Sequence, residues 1–318
     1  MIKIVFAGSP DAARITLEGL FEAQSACGFE IAGVLSNPPS AKGRHKDLIP
    51  TPVAAFAAEK GIPVFTPEHL DGAAREAISP LGADLLVSFA YGHIFGPKFL
   101  ALFPMGGINL HPSLLPKYRG CTPVPAAILN RDTETAVTVQ SLSLKMDEGD
   151  ILAQTRVELN GSETGESLLN YSAEEGVRLI CEVIKQTNEL GKLPAGTPQT
   201  GEASYTGIIT KEDARINWKE SAEVIAAKVR AYYPQPACWC MENGSPLKIL
   251  EALPAPANPA AAEAVPGQVY EFSKTDGILI KTGDGMLLVK KLQRQGKNAM
   301  DYKNFMNGAR NFIGTVLE

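Results

Sequence analysis

The first half of the chain alternates short apolar segments with segments of helical periodicity, and this alternation constrains the fold most strongly. The apolar segments cover residues 2–8, 30–36, 61–65, 83–90 and 106–111. Apolar residues recur at helical spacing over residues 10–24, 51–60 and 68–79. Continuous apolar runs are typical of strands buried on both faces, and strands that alternate with helices form parallel sheets. The sequence therefore predicts an α/β domain with a doubly wound, Rossmann-like, mostly parallel sheet.

The second half of the chain predicts a different architecture. A long helical segment over residues 165–190 ends at Gly191, a residue type favoured just beyond a helix C-terminus. Residues 192–207 are rich in Pro, Gly, Ser and Thr, which is typical of a linker. Short strands separated by turn residues dominate residues 208–318 and predict a small OB-like β-barrel. We therefore expect a first domain over 1–191, a linker, and a C-terminal domain.

Composition and motifs disfavour several classes of protein. No apolar run approaches the ~20 residues needed to cross a bilayer, and the N-terminus lacks the features of a signal peptide, so we expect a cytoplasmic protein without a membrane segment. The five cysteines are irregularly spaced, which predicts neither a disulfide framework nor a metal site. The segment AGSPDAA after the first strand keeps one glycine of G-x-G-x-x-G, which argues against a dinucleotide-binding enzyme.

The C-terminal region has a local excess of positive charge, although the net charge of the chain is -5. The basic residues of this region are Lys290, Lys291, Arg294, Lys297, Lys303 and Arg310. A single acidic residue, Asp301, lies among them. Such a segment on an acidic protein can bind a polyanion, or it can be an ordinary solvated face. Charge alone leaves both interpretations open.

Polar side chains end the fifth predicted strand, in the segment GINLHPSLLPKYRG (107–120). Asn109 and His111 are two residues apart, so both side chains leave the same face of a strand. Ligands of parallel sheets bind outside the carboxyl ends of the strands, an edge that His93 and Asp147 can also reach. An Asn, a His and an Asp without a Ser or Cys nucleophile favour acyl transfer to an external nucleophile. The alternative is that they are polar strand ends without a catalytic role.

These residues resemble the folate-dependent formyltransferase family. NLHPSLLPKYRG followed by VTVQSLSLKMDEGDIL is similar to that family's signature, in which N-x-H-x-S-L-L-P precedes D-x-G-D. The resemblance implies that Asn109, His111 and Asp147 are catalytic, and that 10-formyltetrahydrofolate is the formyl donor, without a metal. The residues that it implies for donor binding are Phe89, Ala90, Tyr91, Gly92, His93, Ile94, Ser113, Leu114, Leu115 and Pro116.

Over nearly its full length the chain resembles the branch of this family that formylates methionyl-tRNA. NPPSAKGRHKDLIPTPV (37–53) is similar to the loop that reaches the acceptor end of the tRNA. The resemblance implies initiator methionyl-tRNA as the partner, and nothing in the sequence demands more than a monomer. The tRNA contacts that it implies are Arg44, Lys290, Lys291, Arg294, Lys297 and Lys303. The chain departs from the usual family pattern at Asp47, Pro112 and Tyr118, where Lys, Ala and Trp are common.

The implied reaction moves the formyl group from N10 of the folate to the α-amino group of the methionyl ester. We expect Asn109 and His111 to donate hydrogen bonds to the developing oxyanion, and Asp147 to keep His111 protonated. Three alternatives remain. A formyltransferase acting on glycinamide ribonucleotide or an amino-sugar nucleotide would share residues 109–150, and a formyltetrahydrofolate hydrolase would use the same three residues on water. The third is a non-catalytic RNA-binding protein on an enzyme scaffold. The C-terminal region disfavours the first two, and the complete Asn-His-Asp set disfavours the third.

Overall fold

The computed structural model of the chain describes residues 1–42, 47–309 and 311–318. Arg44, for which a tRNA contact is predicted, lies outside the described residues, as does Arg310. The chain folds into two compact units. The first unit comprises residues 1–123, 134–158 and 169–207, and the second comprises residues 124–133, 159–168 and 208–318.

The helices agree with the periodicity of the sequence. Over the described residues the α-helices are α1 (Asp11–Cys27), α2 (Pro52–Glu59), α3 (Gly72–Ile78), α4 (Pro97–Leu100), α5 (Pro123–Leu129), α6 (Gly165–Leu190), α7 (Ala222–Ala231) and α8 (Tyr302–Asn307). The helix predicted over 165–190 is confirmed in α6, and Gly191 follows it in the left-handed conformation at φ 69°. None of the helices in the described parts of the chain is long and apolar enough to cross a membrane.

The predicted strands are also present. The strands are β1 (Ile2–Ala7), β2 (Phe29–Leu35), β3 (Ser40–Lys42), β4 (Asp47–Ile49), β5 (Val64–Phe65), β6 (Leu85–Ser88), β7 (Gly107–His111), β8 (Arg119–Gly120), β9 (Glu134–Ser141), β10 (Ile151–Glu158), β11 (Tyr205–Thr206), β12 (Cys238–Glu242), β13 (Ser245–Ala255), β14 (Val269–Ser273), β15 (Gly277–Lys281), β16 (Met286–Arg294) and β17 (Met300–Asp301). The strand predicted over 61–65 is reduced to the two residues of β5.

The first unit is built on a seven-stranded sheet of order β10-β9-β7-β6-β1-β2-β5. The strands β7, β6, β1, β2 and β5 pair in parallel, whereas β9 runs antiparallel to both of its neighbours, β7 and β10. One face packs on α1, α2 and α6 through residues such as Phe6 and Leu17. The other face packs on α3 and α4 through residues such as Leu86 and Phe99. The predicted mostly parallel α/β sheet with helices on both faces is thus confirmed.

The order of the strands reverses beside β1. The chain adds β2 and β5 on one side of β1 and then returns to add β6 and β7 on the other side. In parallel sheets the crevice outside the carboxyl ends of the strands at such a reversal is the usual ligand site. The carboxyl ends of β6 and β7 therefore mark the part of the first unit where a functional site is expected.

The second unit contains an antiparallel sheet of order β12-β13-β16-β15-β14, with β17 paired to β16. Helix α7 packs against β13. The antiparallel strands predicted for this region are confirmed. Within the described residues no pairing joins β12 to β14, so the sheet is observed as an open one and not as the closed OB-like barrel of the prediction.

Candidate active site

Strand β7 carries Asn109 and His111 at its carboxyl end. It lies between β6 and β9, where Asn109 pairs in register with Gln140 and His111 with Thr138. His111 is only 4% exposed, while Asn109 is half-buried. Of the pair, Asn109 is therefore the more accessible to a bound molecule.

The structure brings together the three side chains predicted to be catalytic. Asp147 Oδ1 lies 3.4 Å from Nδ2 of Asn109, and its Oδ2 lies 3.6 Å from Nδ1 of His111. Both distances are long for hydrogen bonds between these atoms. Asp147 thus lies beside both side chains, and the Asn109 amide makes no short hydrogen bond to it.

The Asp147 carboxylate is fixed by two shorter hydrogen bonds. The backbone N–H of Gly120 donates to Oδ2 at 2.8 Å, and Nε2 of Gln140 donates to Oδ1 at 2.8 Å. The loop that carries Asp147 crosses the end of β9 so closely that a Cβ atom at Gly149 would lie 1.7 Å from the carbonyl oxygen of Ser141. This close approach explains the glycine of the DEGD segment, because any side chain there would displace the loop.

The state of His111 differs from the prediction. Its Nε2 lies 2.9 Å from the carbonyl oxygen of Tyr118, which can only accept, so Nε2 carries a proton and donates it. Burial lowers the pKa of His111 by more than the Asp147 charge and the Tyr118 hydrogen bond raise it, so the pKa lies below its ordinary value of 6.5. The expectation that Asp147 keeps His111 protonated is therefore wrong, because desolvation outweighs the carboxylate. At neutral pH, Nδ1 presents a lone pair on the side of Asp147.

The segment 89–94, predicted to bind the formyl donor, divides into buried and exposed residues. Phe89 and Tyr91 are each 2% exposed, and the Tyr91 ring stacks on Phe95 at 5.5 Å between centroids. The exposed residues of the segment are Ala90, Gly92, His93 and Ile94. Phe89 and Tyr91 therefore support the segment from the core, and the exposed residues are the ones able to contact a ligand.

The second segment predicted to bind the donor, 113–116, is mainly a rigid loop. Ser113 is fully buried, its Oγ donates to the carbonyl of Lys117 at 2.7 Å, and its own carbonyl accepts from Thr138 Oγ1 at 2.7 Å. Leu115 and Pro116 are buried, and Leu114 is partly exposed. The hydrogen bonds of Ser113 therefore stabilise the conformation of the loop, and Leu114 is the residue of this segment whose side chain is accessible to a ligand.

Sequence reasoning missed residues in the segment predicted to be a linker. Strand β11 pairs in parallel with β8, and the side chain of Gln199 donates to the carbonyl oxygens of Asp147 and Gly149, each at 2.8 Å. The Tyr205 hydroxyl lies 2.9 Å from Arg119 Nη1 and donates to Glu148 Oε1 at 3.0 Å. Nothing in the local pattern indicates partners so distant in sequence, because the segment lacks the periodicity of a helix or strand.

The basic residues of the C-terminal region differ in their surroundings. Arg294 forms a two-bond ion pair with Glu242, at 2.7 and 2.5 Å, which raises the pKa of Arg294. Lys290 donates to the carbonyl of Asp276. In the described parts of the chain, Lys291, Lys297 and Lys303 form no ion pair, although Lys303 lies over the Tyr302 ring. Glu242 balances the charge of Arg294, whereas these three lysines have no ion-pair partner among the described residues, although the charge of Lys303 contributes to lowering the pKa of Asp301.

Among residues 1–42, 47–309 and 311–318, no cluster of three or more His, Cys, Asp or Glu side chains is arranged to hold a metal ion. At the end of β7, Asp147 and His111 lie beside each other and contact neighbouring backbone groups, and Asp147 also contacts the side chains of Asn109 and Gln140.

Comparison with known proteins identifies relatives of both units. A family model described as "Formyl transferase" matches residues 2–184, and one described as "Formyl transferase, C-terminal domain" matches residues 208–310. The methionyl-tRNA formyltransferase of Treponema denticola is 40% identical over 323 residues, which cover 98% of each chain.

Two solved structures share the fold at low sequence identity. HypX from Aquifex aeolicus, solved in complex with tetrahydrofolic acid, is 16% identical to this chain with a TM-score of 0.64. The match covers 98% of this chain and 48% of HypX, so this chain spans about half of that protein. The methionyl-tRNA formyltransferase from Clostridium thermocellum is 14% identical with a TM-score of 0.57 over 80% of this chain and 93% of that chain.

Proposed function

The chain belongs to the methionyl-tRNA formyltransferases, and we propose that Asn109, His111 and Asp147 form its catalytic centre. The enzyme transfers the formyl group of 10-formyltetrahydrofolate to the α-amino group of methionyl-tRNA, the charged tRNA of translation initiation. The observation that carries the proposed centre is the position of Asp147 beside both Asn109 and His111 at the carboxyl end of β7. In this proposal residues 1–191 hold the catalytic site, and residues 208–318 bind the tRNA.

The residues at the end of β6 fit the formyl donor. A folate carries a flat ring system with hydrogen-bonding edges, so it needs accessible backbone beside an apolar wall. Ala90 and Gly92 are exposed, and Ile94 offers an apolar side chain that is 70% exposed. When bound, 10-formyltetrahydrofolate supplies the formyl carbon that the amine attacks.

The roles of the three side chains follow from their contacts. Asn109 Nδ2 is free enough to donate a hydrogen bond to the formyl oxygen as negative charge develops there. The neutral His111 accepts through Nδ1 the proton that the attacking amine loses, directly or through a water. Asp147, 3.6 Å from Nδ1, stabilises the imidazolium that forms. The new bond joins the amine nitrogen to the formyl carbon, the bond to N10 breaks, and the proton is passed to N10.

The lowered pKa of His111 predicts the pH dependence of the reaction. Because protonated His111 cannot accept a proton, kcat should fall as the pH drops through a midpoint below 6.5. In Asp147→Asn the carboxylate no longer raises the pKa of His111, so this midpoint should move to a still lower pH. The measurement is kcat against pH for both proteins at saturating substrates. A midpoint above 6.5, or a shift to higher pH in the variant, contradicts the assignment.

We extend the proposal to the C-terminal unit, which we take to bind the tRNA backbone. The support is the set of lysines without ion pairs, Lys291, Lys297 and Lys303, next to the more engaged Lys290 and Arg294. An OB-like arrangement of the sheet is part of this proposal, since such folds commonly bind nucleic acids. The proposal also includes a monomer acting in the cytoplasm, the compartment of charged initiator tRNA.

Salt dependence tests the proposed tRNA surface. Changing Lys291, Lys297 and Lys303 together to Gln should weaken tRNA binding and make the plot of log Kd against log salt shallower, by about one unit of slope for each lost phosphate contact. Lys185→Gln, an exposed lysine of α6 outside this segment, is the control and should leave the slope unchanged. A wild-type affinity that does not respond to salt contradicts a phosphate-binding role.

An acceptor assay tests the function as a whole. The purified chain is incubated with 10-formyltetrahydrofolate and with methionyl-tRNA, glycinamide ribonucleotide or water as the acceptor. Formylation of methionyl-tRNA, with little formate released in its absence, is the expected result. Formyl transfer to the ribonucleotide, or release of formate as the main product, would instead support one of the alternatives that share residues 109–150.

A further inference from the structure

We propose that Gln199 is a positioning residue for Asp147, an inference that rests on the catalytic role proposed above for Asp147. Gln199 lies in the Pro- and Gly-rich stretch that precedes the second unit, within the first unit. Its side chain is half-buried and joins two segments that are separate in sequence, the one around Arg119 and the one from Asp147 to Gly149. No role for it follows from its place in the sequence.

The hydrogen bonds of the Gln199 amide are complete and fix its orientation. Nε2 donates to the carbonyl oxygens of Asp147 and Gly149, each at 2.8 Å, and lies 3.2 Å from Oε1 of Gln140. Oε1 accepts from Arg119, at 3.1 Å from Nε and 2.8 Å from Nη2. Because carbonyls only accept and a guanidinium only donates, the reversed amide would lose every one of these bonds. The side chain is therefore specific for the two segments that it joins.

Both segments are needed to place the Asp147 carboxylate. Asp147 has a positive φ of 54°, a conformation that residues other than glycine hold only where their surroundings impose it. Gln199 holds the carbonyl of this residue, and Arg119 precedes Gly120, whose N–H donates to Asp147 Oδ2 at 2.8 Å. Gln199 therefore links the strand that carries the donor, Gly120, to the loop that carries the acceptor, Asp147.

The neighbours of Gln199 hold the partner of His111 in the same way. Ser204 Oγ accepts from the N–H of Tyr118 at 2.9 Å, and the Ser204 carbonyl accepts from the N–H of Arg119 at 2.9 Å. The carbonyl of Tyr118 is the acceptor of the His111 Nε2 hydrogen bond. Residues 199–206 therefore fix both the carboxylate beside His111 and the backbone group that orients its ring.

This arrangement predicts a loss of turnover without a loss of binding. Gln199 contacts backbone carbonyls and the side chains of Arg119 and Gln140, and none of its described contacts is with the segments proposed to bind the donor. A displacement of about 1 Å in a catalytic group costs about 10²-fold in rate. We therefore expect Gln199→Met, which keeps the length but no hydrogen bond, to lower kcat by about 10- to 100-fold, with both KM values nearly unchanged.

The test is a double-mutant cycle of Gln199→Met with Asp147→Asn, in the full chain with 10-formyltetrahydrofolate and methionyl-tRNA. If Gln199 acts through Asp147, its replacement costs kcat in the wild-type background and almost nothing in Asp147→Asn. Gln24→Met is the matched control, because Gln24 is also half-buried and also joins backbone groups, the carbonyl of Phe21 and the N–H of Ile31. That control should keep wild-type kcat.

Each result has one meaning. Equal losses in both backgrounds, or a wild-type kcat in Gln199→Met, overturn the positioning role. A wild-type kcat in Asp147→Asn alone overturns the proposed catalytic centre instead. If Gln199→Met fails to fold, Gln199→Glu takes its place in the cycle. A glutamate carboxylate can still accept from Arg119, but it cannot donate to the carbonyl oxygens of Asp147 and Gly149. A wild-type kcat in Gln199→Glu then overturns the inference.

Discussion

Replacing Asn109 with alanine is expected to lower kcat by about 10²–10³-fold, the usual cost of losing one oxyanion donor. Asn109 Nδ2 lies 3.4 Å from Asp147 Oδ1, too far for a strong bond in the free enzyme. Its hydrogen bond therefore becomes strong only when negative charge develops on the formyl oxygen. An interaction made only in the transition state lowers kcat and kcat/KM together when it is removed, and it leaves KM for 10-formyltetrahydrofolate nearly unchanged.

Steady-state kinetics with both substrates varied would measure this effect. Asn188→Ala is a suitable control, because Asn188 also lies in the first unit and its amide donates to the carbonyl oxygens of Cys27 and Gly28, remote from β7 in the sheet. Asn188→Ala should keep wild-type kcat even if it lowers the melting temperature. A loss in Asn109→Ala that appears equally in folate affinity and in kcat would contradict the oxyanion role.

Much of the fold could be predicted from the sequence because local patterns determine it. The apolar runs of 2–8 and 106–111 form the buried strands β1 and β7. The segment of helical spacing over 165–190 forms α6, which has the predicted bounds. The position of Asn109 and His111 at a carboxyl edge followed from the alternation of strands and helices alone. The predicted closure of the C-terminal sheet into a barrel is not observed in the described residues, and the pattern could not decide it, because closure depends on pairing between distant strands.

The finer properties of the site depend on contacts between residues that are distant in sequence. The lowered pKa of His111 follows from its burial in the folded chain, which no local feature of NLHPS encodes. Ser113 and Tyr91 belong to segments implied to bind the donor, yet both side chains point into the protein. Gln199 contacts a loop about fifty residues earlier in the chain. The composition of its segment predicted a linker. The contacts of Gln199 could not be predicted, because hydrogen bonds made by single side chains leave no periodic signal in the sequence.

His111→Gln is expected to produce the second large effect, a fall in kcat of about 10²–10⁴-fold, the range for loss of a general base. In the wild type the Tyr118 carbonyl accepts from Nε2 of His111, and in the variant it can accept from the glutamine amide, so the position of the loop can be preserved. The variant lacks a nitrogen that accepts a proton near neutral pH. The acidic fall of kcat that we assign to His111 should therefore disappear along with most of the activity.

The pH profile of the wild type separates the two roles considered for His111. Because Nε2 already donates to the Tyr118 carbonyl, a donor role toward the formyl oxygen needs a proton on Nδ1 as well, and kcat would then rise as the pH drops through the pKa of His111. If His111 accepts the proton of the attacking amine, as its low pKa and its Nε2 bond to Tyr118 indicate, glutamine cannot substitute. His69→Gln, a change at an exposed histidine, provides the control and should leave the pH profile intact. Retention of a tenth or more of wild-type kcat in His111→Gln, with the acidic fall unchanged, would contradict the general-base role, because general-base catalysis contributes about 10²-fold or more.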